Sequence, residues 1–159
     1  MYTQILTAAM FFMVSITGIN YESNKTLTVP AEIEATTPVR TIILSSNDQM
    51  KFDKSEIRVK AGEKIKLTLK HTGKFPKNAM GHNFVLLAKG TDVAKFATAA
   101  MNAKATDYIP AKGALAHTKM IGGGESTTIE FTVPAKGTYD FICSFPGHYA
   151  VMKGKFIVE

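Results

Sequence analysis

From Glu63 to His71 the chain reads EKIKLTLKH, and the alternation in this stretch decides the fold class. Ile65, Leu67 and Leu69 fall on one face, while Lys64, Lys66, Thr68 and Lys70 fall on the other. A period of two belongs to a strand with one face on a core and the other in water. STTIEFTV repeats the pattern through Ile129, Phe131 and Val133, and GTYDFIC repeats it through Tyr139, Phe141 and Cys143. EIRVK and KFIVE are shorter versions. Turn formers separate these runs: Ala61-Gly62, Gly122-Gly123-Gly124 (read as a hairpin turn) and Pro134 to Gly137. One segment departs from the pattern. Thr91 to Ala105 is rich in alanine, sets Val93, Phe96, Ala97, Ala100 and Met101 on one helical face, and offers Thr91 or Asp92 as a cap. The expectation is an all-β protein, an antiparallel sandwich with one inserted α-helix.

The rest of the sequence bounds that domain. With 159 residues, 45% hydrophobic and 20% charged, the chain suits one globular domain and not disorder throughout. An apolar run from Ile5 to Ile16 is shorter than the roughly 20 residues of a membrane-spanning helix and suits a secretory signal. Residues 1–18 are therefore expected to be a signal peptide or N-terminal anchor. Residues 19–39, with two prolines and many Ser, Thr and Glu, read as a flexible linker, and residues 40–159 as the folded domain. No cysteine follows the apolar run, so attachment through a lipidated cysteine is not expected. Nineteen Lys and Arg against 13 Asp and Glu give a net charge of +6. The lysines are scattered and no arginine-rich element occurs, so a solvated basic surface is favoured over nucleic-acid binding. Cys143 is the single cysteine, which excludes an internal disulfide.

The chemistry concentrates near the C-terminus, in Cys143-Ser-Phe-Pro-Gly-His148-Tyr-Ala-Val-Met152. A thiolate, an imidazole and a thioether in one ten-residue loop make a poor site for calcium or magnesium, which take oxygen ligands. They suit copper, whose reduced state favours sulfur and whose two states both accept imidazole. A second histidine is expected from elsewhere, and His82 in Asn78-Ala-Met-Gly-His-Asn83 is the best placed of the four. Gly81 lets the backbone approach closely, so that its carbonyl can serve as a weak further ligand, and Asn83 can brace the second loop.

PKNAMGHNFVL, AHTKMIGGGE and FICSFPGHYAVMKGKFIVE, with NDQMKF from Asn47 to Phe52, resemble the azurin family of bacterial cupredoxins in order and spacing. The resemblance runs from Arg40 to Glu159 and implies a cupredoxin-like Greek-key β-sandwich. It also implies one mononuclear type 1 copper ion, with His82, Cys143 and His148 in a trigonal plane and Met152 and the Gly81 carbonyl axial. The backbone amides of Asn83 and Phe145 are then expected to hydrogen-bond the sulfur. Function by this resemblance is single-electron transfer by Cu(II)/Cu(I) cycling, without conversion of a substrate, in the periplasm. The implied partners are redox proteins such as c-type cytochromes or a copper-containing reductase. They would dock transiently on a patch around His148 that includes Met80, Phe145, Pro146 and Ala150. Membrane contact is expected only through an uncleaved N-terminus. Two positions depart from the family. Its disulfide is replaced at Arg40 and Gly62, and Phe84 stands where azurins often have a buried tryptophan.

Other readings of the same residues stand beside this one. Cys143 continues the inward phase of Tyr139 and Phe141, so alone it reads as a core thiol, and a Cys–His nucleophile leaves Met152 and the Gly-His-Asn segment unexplained. Met152 alone reads as packing among eight methionines. His71 is in phase with Leu69 and is expected to point inward, the azurin resemblance making it at most a neighbour of the ligands, while His117 is expected at the surface. The triple glycine lacks the Lys-Ser/Thr pair of a phosphate loop. Lys74, Lys77 and Lys153 are expected to be solvated. A copper-storage or copper-delivery protein would expose Met or His clusters, which the scattered methionines do not supply.

Overall fold

The computed structural model describes residues 39–159, so the expected signal or anchor and nearly all of the linker lie outside the described residues. The first strands are β1 (Arg40–Asn47), β2 (Lys51–Phe52), β3 (Glu56–Val59) and β4 (Lys64–His71). They are followed by β5 (Val85–Leu87), β6 (Ala114–His117), β7 (Ser126–Thr132), β8 (Gly137–Ile142) and β9 (Lys153–Val158). One sheet runs β2-β1-β4-β7 and the other β3-β9-β8-β5-β6. The two-sheet sandwich is as expected, but its pairing is mixed. β1 and β4 run parallel in register from Arg40↔Ile65 to Ser46↔His71, and β3 runs parallel to β9. The reason is topological: after β1 the chain crosses to the other sheet as β3 and returns as β4, and a crossover returns a strand parallel to the one it left.

Every inward residue of EKIKLTLKH is buried: Ile65, Leu67 and Leu69 are inaccessible to solvent, and His71 nearly so. Leu44, Phe84, Leu86, Phe141 and Phe156 join them in the core between the sheets. Burial of each such side chain contributes about 1.5–3 kcal/mol. Phe84, the aromatic in place of tryptophan, sits 5.5 Å from Phe141. Where the family's disulfide is missing, Arg40 lies 3.6 Å from Glu63. That ion pair is partly exposed and contributes at most about 1 kcal/mol.

A one-turn helix, α1 (Lys77–Met80), precedes β5, and the inserted helix is α2 (Val93–Met101), with Asp92 accepting the N–H groups of Ala94 and Lys95 at 3.0 Å each. It ends earlier than the sequence pattern suggested, and a separate 3-10 turn covers Lys104–Thr106. Phe96, Ala97 and Ala100 are buried as expected, whereas Met101 is 52% exposed. Phe96 packs with Val85, Leu87, Ile109 and Ile142 on the outer side of the second sheet. That layer buries β5 on both faces, so β5 shows no alternation. The short α1, entered from Pro76, was not legible because four residues carry no period. The triple glycine is a turn but not a hairpin, since it links β6 in one sheet to β7 in the other. Its role is close approach: a Cβ on Gly122 would stand 2.7 Å from the backbone nitrogen of Lys77.

Candidate metal centre

At one end of the sandwich two segments meet. His82 follows Gly81 just before β5 and is pinned across to Ile121, with His82 N–H donating at 3.0 Å and Ile121 N–H donating back at 2.9 Å. Cys143 closes β8 and His148 opens a short 3-10 turn, His148–Ala150. The intervening loop is tied through its own backbone. Cys143 N–H donates to the Met152 carbonyl, Met152 N–H to that of His148, and His148 N–H to that of Phe145. The sulfur of Cys143 lies 3.6 Å from Nδ1 of His148, 3.9 Å from Nδ1 of His82 and 3.8 Å from the Gly81 carbonyl oxygen. The three ligand atoms of His82, Cys143 and His148 fall within 4.8 Å of one another, the only such grouping among the described residues.

Hydrogen bonds fix which atoms face inward. Nε2–H of His82 donates to the Asn47 carbonyl at 2.9 Å, leaving the Nδ1 lone pair toward the sulfur. His71, stacked on His82 at 4.3 Å, accepts from Gly73 N–H at Nδ1 and donates from Nε2 to the Met80 carbonyl. It braces His82 and supplies no inward atom. Asn83 is fully buried and joins the segments: its Nδ2 donates to Ser144 Oγ at 2.8 Å and to the Asp107 carbonyl at 3.1 Å. Its Oδ1 accepts the Ser144 N–H at 2.8 Å. The backbone amides of Asn83 and Phe145 act as hydrogen-bond donors that lower the Cys143 thiol's pKa, as the azurin resemblance implied.

Burial dominates the electrostatics. It pushes the Cys143 thiol up to about 12 against the pull of those two amides. Burial, with His82 and His71 nearby, drives His148 down to about 4. His82 is likewise lowered, chiefly by burial, while its bond to Asn47 opposes the shift. In the metal-free protein at pH 7 all three groups are neutral. A buried thiol held protonated is a poor nucleophile, which weighs against Cys–His hydrolysis. As metal donors the set fits. One soft sulfur and two imidazole nitrogens at separations near 3.6–3.9 Å leave room for a first-row ion. Such an ion sits about 2.0–2.3 Å from each donor, and the thiolate–imidazole mixture favours copper over oxygen-seeking metals.

Met152 is fully buried and anchored to Cys143 and His148 through backbone bonds. His117 is exposed, as are Lys74, Lys77 and Lys153. Of the expected patch, Met80, Phe145 and Pro146 are half-buried and Ala150 is exposed, with Val151 beside it at 61%. The Phe145 ring lies 4.6 Å from that of His148. Sequence reasoning missed Met120 and Asp107. Met120 lies so close to Gly81 that a Cβ there would meet its Sδ at 3.0 Å. Its place inside AHTKMIG, next to the residue that pairs with His82, was the available signal. Asp107 carried none.

Comparison with known proteins agrees with this geometry. The family model described as copper binding proteins, plastocyanin/azurin family, matches residues 39–159. Outer membrane protein H.8 of Neisseria gonorrhoeae is 46% identical over 117 residues, covering 70% of this chain and 63% of that protein. The chain thus spans less than two thirds of the length of that relative. Azurin of Bordetella pertussis is 44% identical over 126 residues, covering 70% of this chain and 78% of that protein. The solved structure of auracyanin A, a "blue" copper protein from Chloroflexus aurantiacus, superposes with a TM-score of 0.71 at 33% identity. It covers 77% of this chain and 100% of that one.

Proposed function

Since the chain belongs to the plastocyanin/azurin family of copper-binding proteins, we propose that it carries single electrons between redox proteins. Its fold is the cupredoxin β-sandwich with a small inserted helix, and the His82, Cys143 and His148 grouping is compatible with a single type 1 copper site. In the proposed site these three residues hold the metal, with Met152 and the Gly81 carbonyl completing the set. Copper there supplies a one-electron couple between Cu(II) and Cu(I). The chain's own residues do the rest. Two backbone N–H groups on the Cys143 sulfur draw electron density from it. Asn83, Asn47 and Ile121 fix the loops by hydrogen bonds, which limits rearrangement between oxidation states. Phe145 and His148 lie in contact near the surface, which supports docking of a partner there. Such docking on a small apolar patch is transient, and we read the protein as a carrier and not an enzyme. Redox partners such as c-type cytochromes or a copper-containing reductase belong to this proposal. So does an exported, periplasmic location, which the outer-membrane name of the H.8 relative supports.

The observation that carries this reading is the buried trio of one sulfur and two imidazoles. Titrating the purified chain with Cu(II) should give an intense blue thiolate-to-copper absorption, absent in Cys143→Ser and bleached by one electron per copper. A colourless protein, or a colour that survives loss of Cys143, refutes it.

A further inference from the structure

The insertion between β5 and β6 ends in an unusual piece of backbone. Asp107 and Tyr108 follow one another in the left-handed region, at φ of 54° and 61°. Aspartate tolerates that region, whereas a bulky tyrosine seldom enters it. Such a pair persists where its surroundings over-determine it: Asp107 caps the Lys104–Thr106 turn, Tyr108 N–H donates to the Ala103 carbonyl at 2.9 Å, and the side-chain contacts lead to the copper-binding segments.

The Asp107 carboxylate accepts the N–H of Met120 at 3.1 Å, and Met120 lies against Gly81 and precedes Ile121, the partner of His82. The Asp107 carbonyl accepts Nδ2 of Asn83 at 3.1 Å, and the same Nδ2 reaches Ser144, next to Cys143. The Tyr108 ring meets Phe145 edge-on at 5.5 Å, and the Phe145 ring lies tilted against His148 at 4.6 Å. One dipeptide outside both segments thus touches the neighbours of every residue in the proposed trio. We propose that Asp107 is a positioning residue, which with Tyr108 clamps the Gly81–His82 segment to the Cys143–His148 loop before metal arrives. It touches no donor atom; it acts through Asn83 and Met120. The inferred clamp rests on the copper reading for its purpose, though not for its geometry.

Two variants separate the side chain from the backbone. Asp107→Gly keeps the left-handed conformation and removes the acceptor, while Asp107→Asn keeps both. In the metal-free chain, amide hydrogen exchange at Met120, whose N–H loses its carboxylate acceptor, should quicken about fivefold to tenfold in Asp107→Gly, the scale of one lost hydrogen bond. Exchange at Leu67 and Leu69 in the core should not change, and Asp107→Asn should restore the wild-type rates. In the copper-loaded chain, transfer of copper to a chelator should accelerate by a similar factor in the glycine variant alone, with a shifted thiolate band. Exchange at Met120, or copper transfer, that stays within twofold of wild type overturns the clamp. So does a rise shared equally by Leu67 and Leu69, which marks a general loss of stability. A wild-type chain that gives no thiolate band overturns the copper reading, and the exchange rates then judge the clamp independently.

Discussion

Replacing Asn83 by alanine tests whether the copper segments are held by a buried polar bridge. The side chain is inaccessible to solvent and makes three hydrogen bonds: to Ser144 Oγ, from Ser144 N–H, and to the Asp107 carbonyl. Truncation leaves the Ser144 amide without an acceptor and its hydroxyl without a donor, at a residue only 2% exposed. Each orphaned group costs about 1–3 kcal/mol, and the hydroxyl can rotate to recover part of its share. The Asp107 carbonyl belongs to a half-buried residue and can turn to water. The sum is a loss of about 2–4 kcal/mol, or about 10 °C in Tm for a domain of this size. Urea unfolding of the metal-free protein measures it. Asn83→Leu fills the space without restoring the bonds, so it should cost nearly as much; full recovery in that variant would mean the loss was a cavity. A double-mutant cycle with Ser144→Ala isolates the Nδ2–Oγ bond, with an expected coupling of about 1 kcal/mol. A total cost below about 1 kcal/mol, together with no coupling, refutes the bridge.

Three further outcomes follow from the electrostatics and packing of the site. With the Cys143 thiol pushed up to about 12 by burial and His148 held down near 4, copper binding at pH 7 should release one proton, from sulfur. Calorimetry in buffers of different protonation enthalpy counts it; zero contradicts a thiolate ligand and two contradict neutral histidines. In the metal-free protein the unfolded chain takes a proton on His148 near pH 6.5 and the native protein only near 4. The unfolded state therefore binds more protons across that window, and stability falls as pH drops from about 6.5 toward about 4. Denaturant midpoints that stay level from pH 7 to 4.5 contradict it. Finally, Gly81→Ala would set a Cβ 2.5 Å from the Lys77 carbonyl and 3.0 Å from Met120 Sδ. The expected cost is about 1–3 kcal/mol of stability with an altered copper spectrum, and an unchanged spectrum and midpoint argue against close packing there.

Where one face of a strand meets the core and the other meets water, the sequence was readable. Ile65, Leu67, Leu69 and Ile57 all fell where the period put them. The same phase placed Cys143 and His71 inward, and chemistry then separated their roles: a thiol with His148 five residues on, against an imidazole with no donor partner nearby in sequence. The pattern failed where that physical premise failed. Val85, Leu87 and Ile142 are buried on the face that α2 covers, so β5 and the end of β8 read as continuous apolar runs. Parallel pairing of β1 with β4 depends on a crossover that no local period records. Asp107 joins residues 24 and 13 positions away, and no local period records those contacts.

Burial also explains how the site can be ready before metal binds. If the thiol were ionised and the imidazoles charged, three buried groups within 4.8 Å would each carry a desolvation cost, and the two cationic rings would repel. Desolvation instead shifts each toward its neutral form, raising the thiol and lowering the imidazoles. Neutral donors exert little force on one another, so modest hydrogen bonds from Asn47, Asn83 and Ile121 suffice to set their positions. Were copper bound by Cys143, the thiol would give up its proton, and the charge left on sulfur would be favoured by the Asn83 and Phe145 amides. Because those donors are backbone groups fixed by the surrounding loops, they need not reorient when the charge appears. A site assembled this way would need little change of shape to take up a metal, and small structural change is what the proposed exchange of a single electron would require.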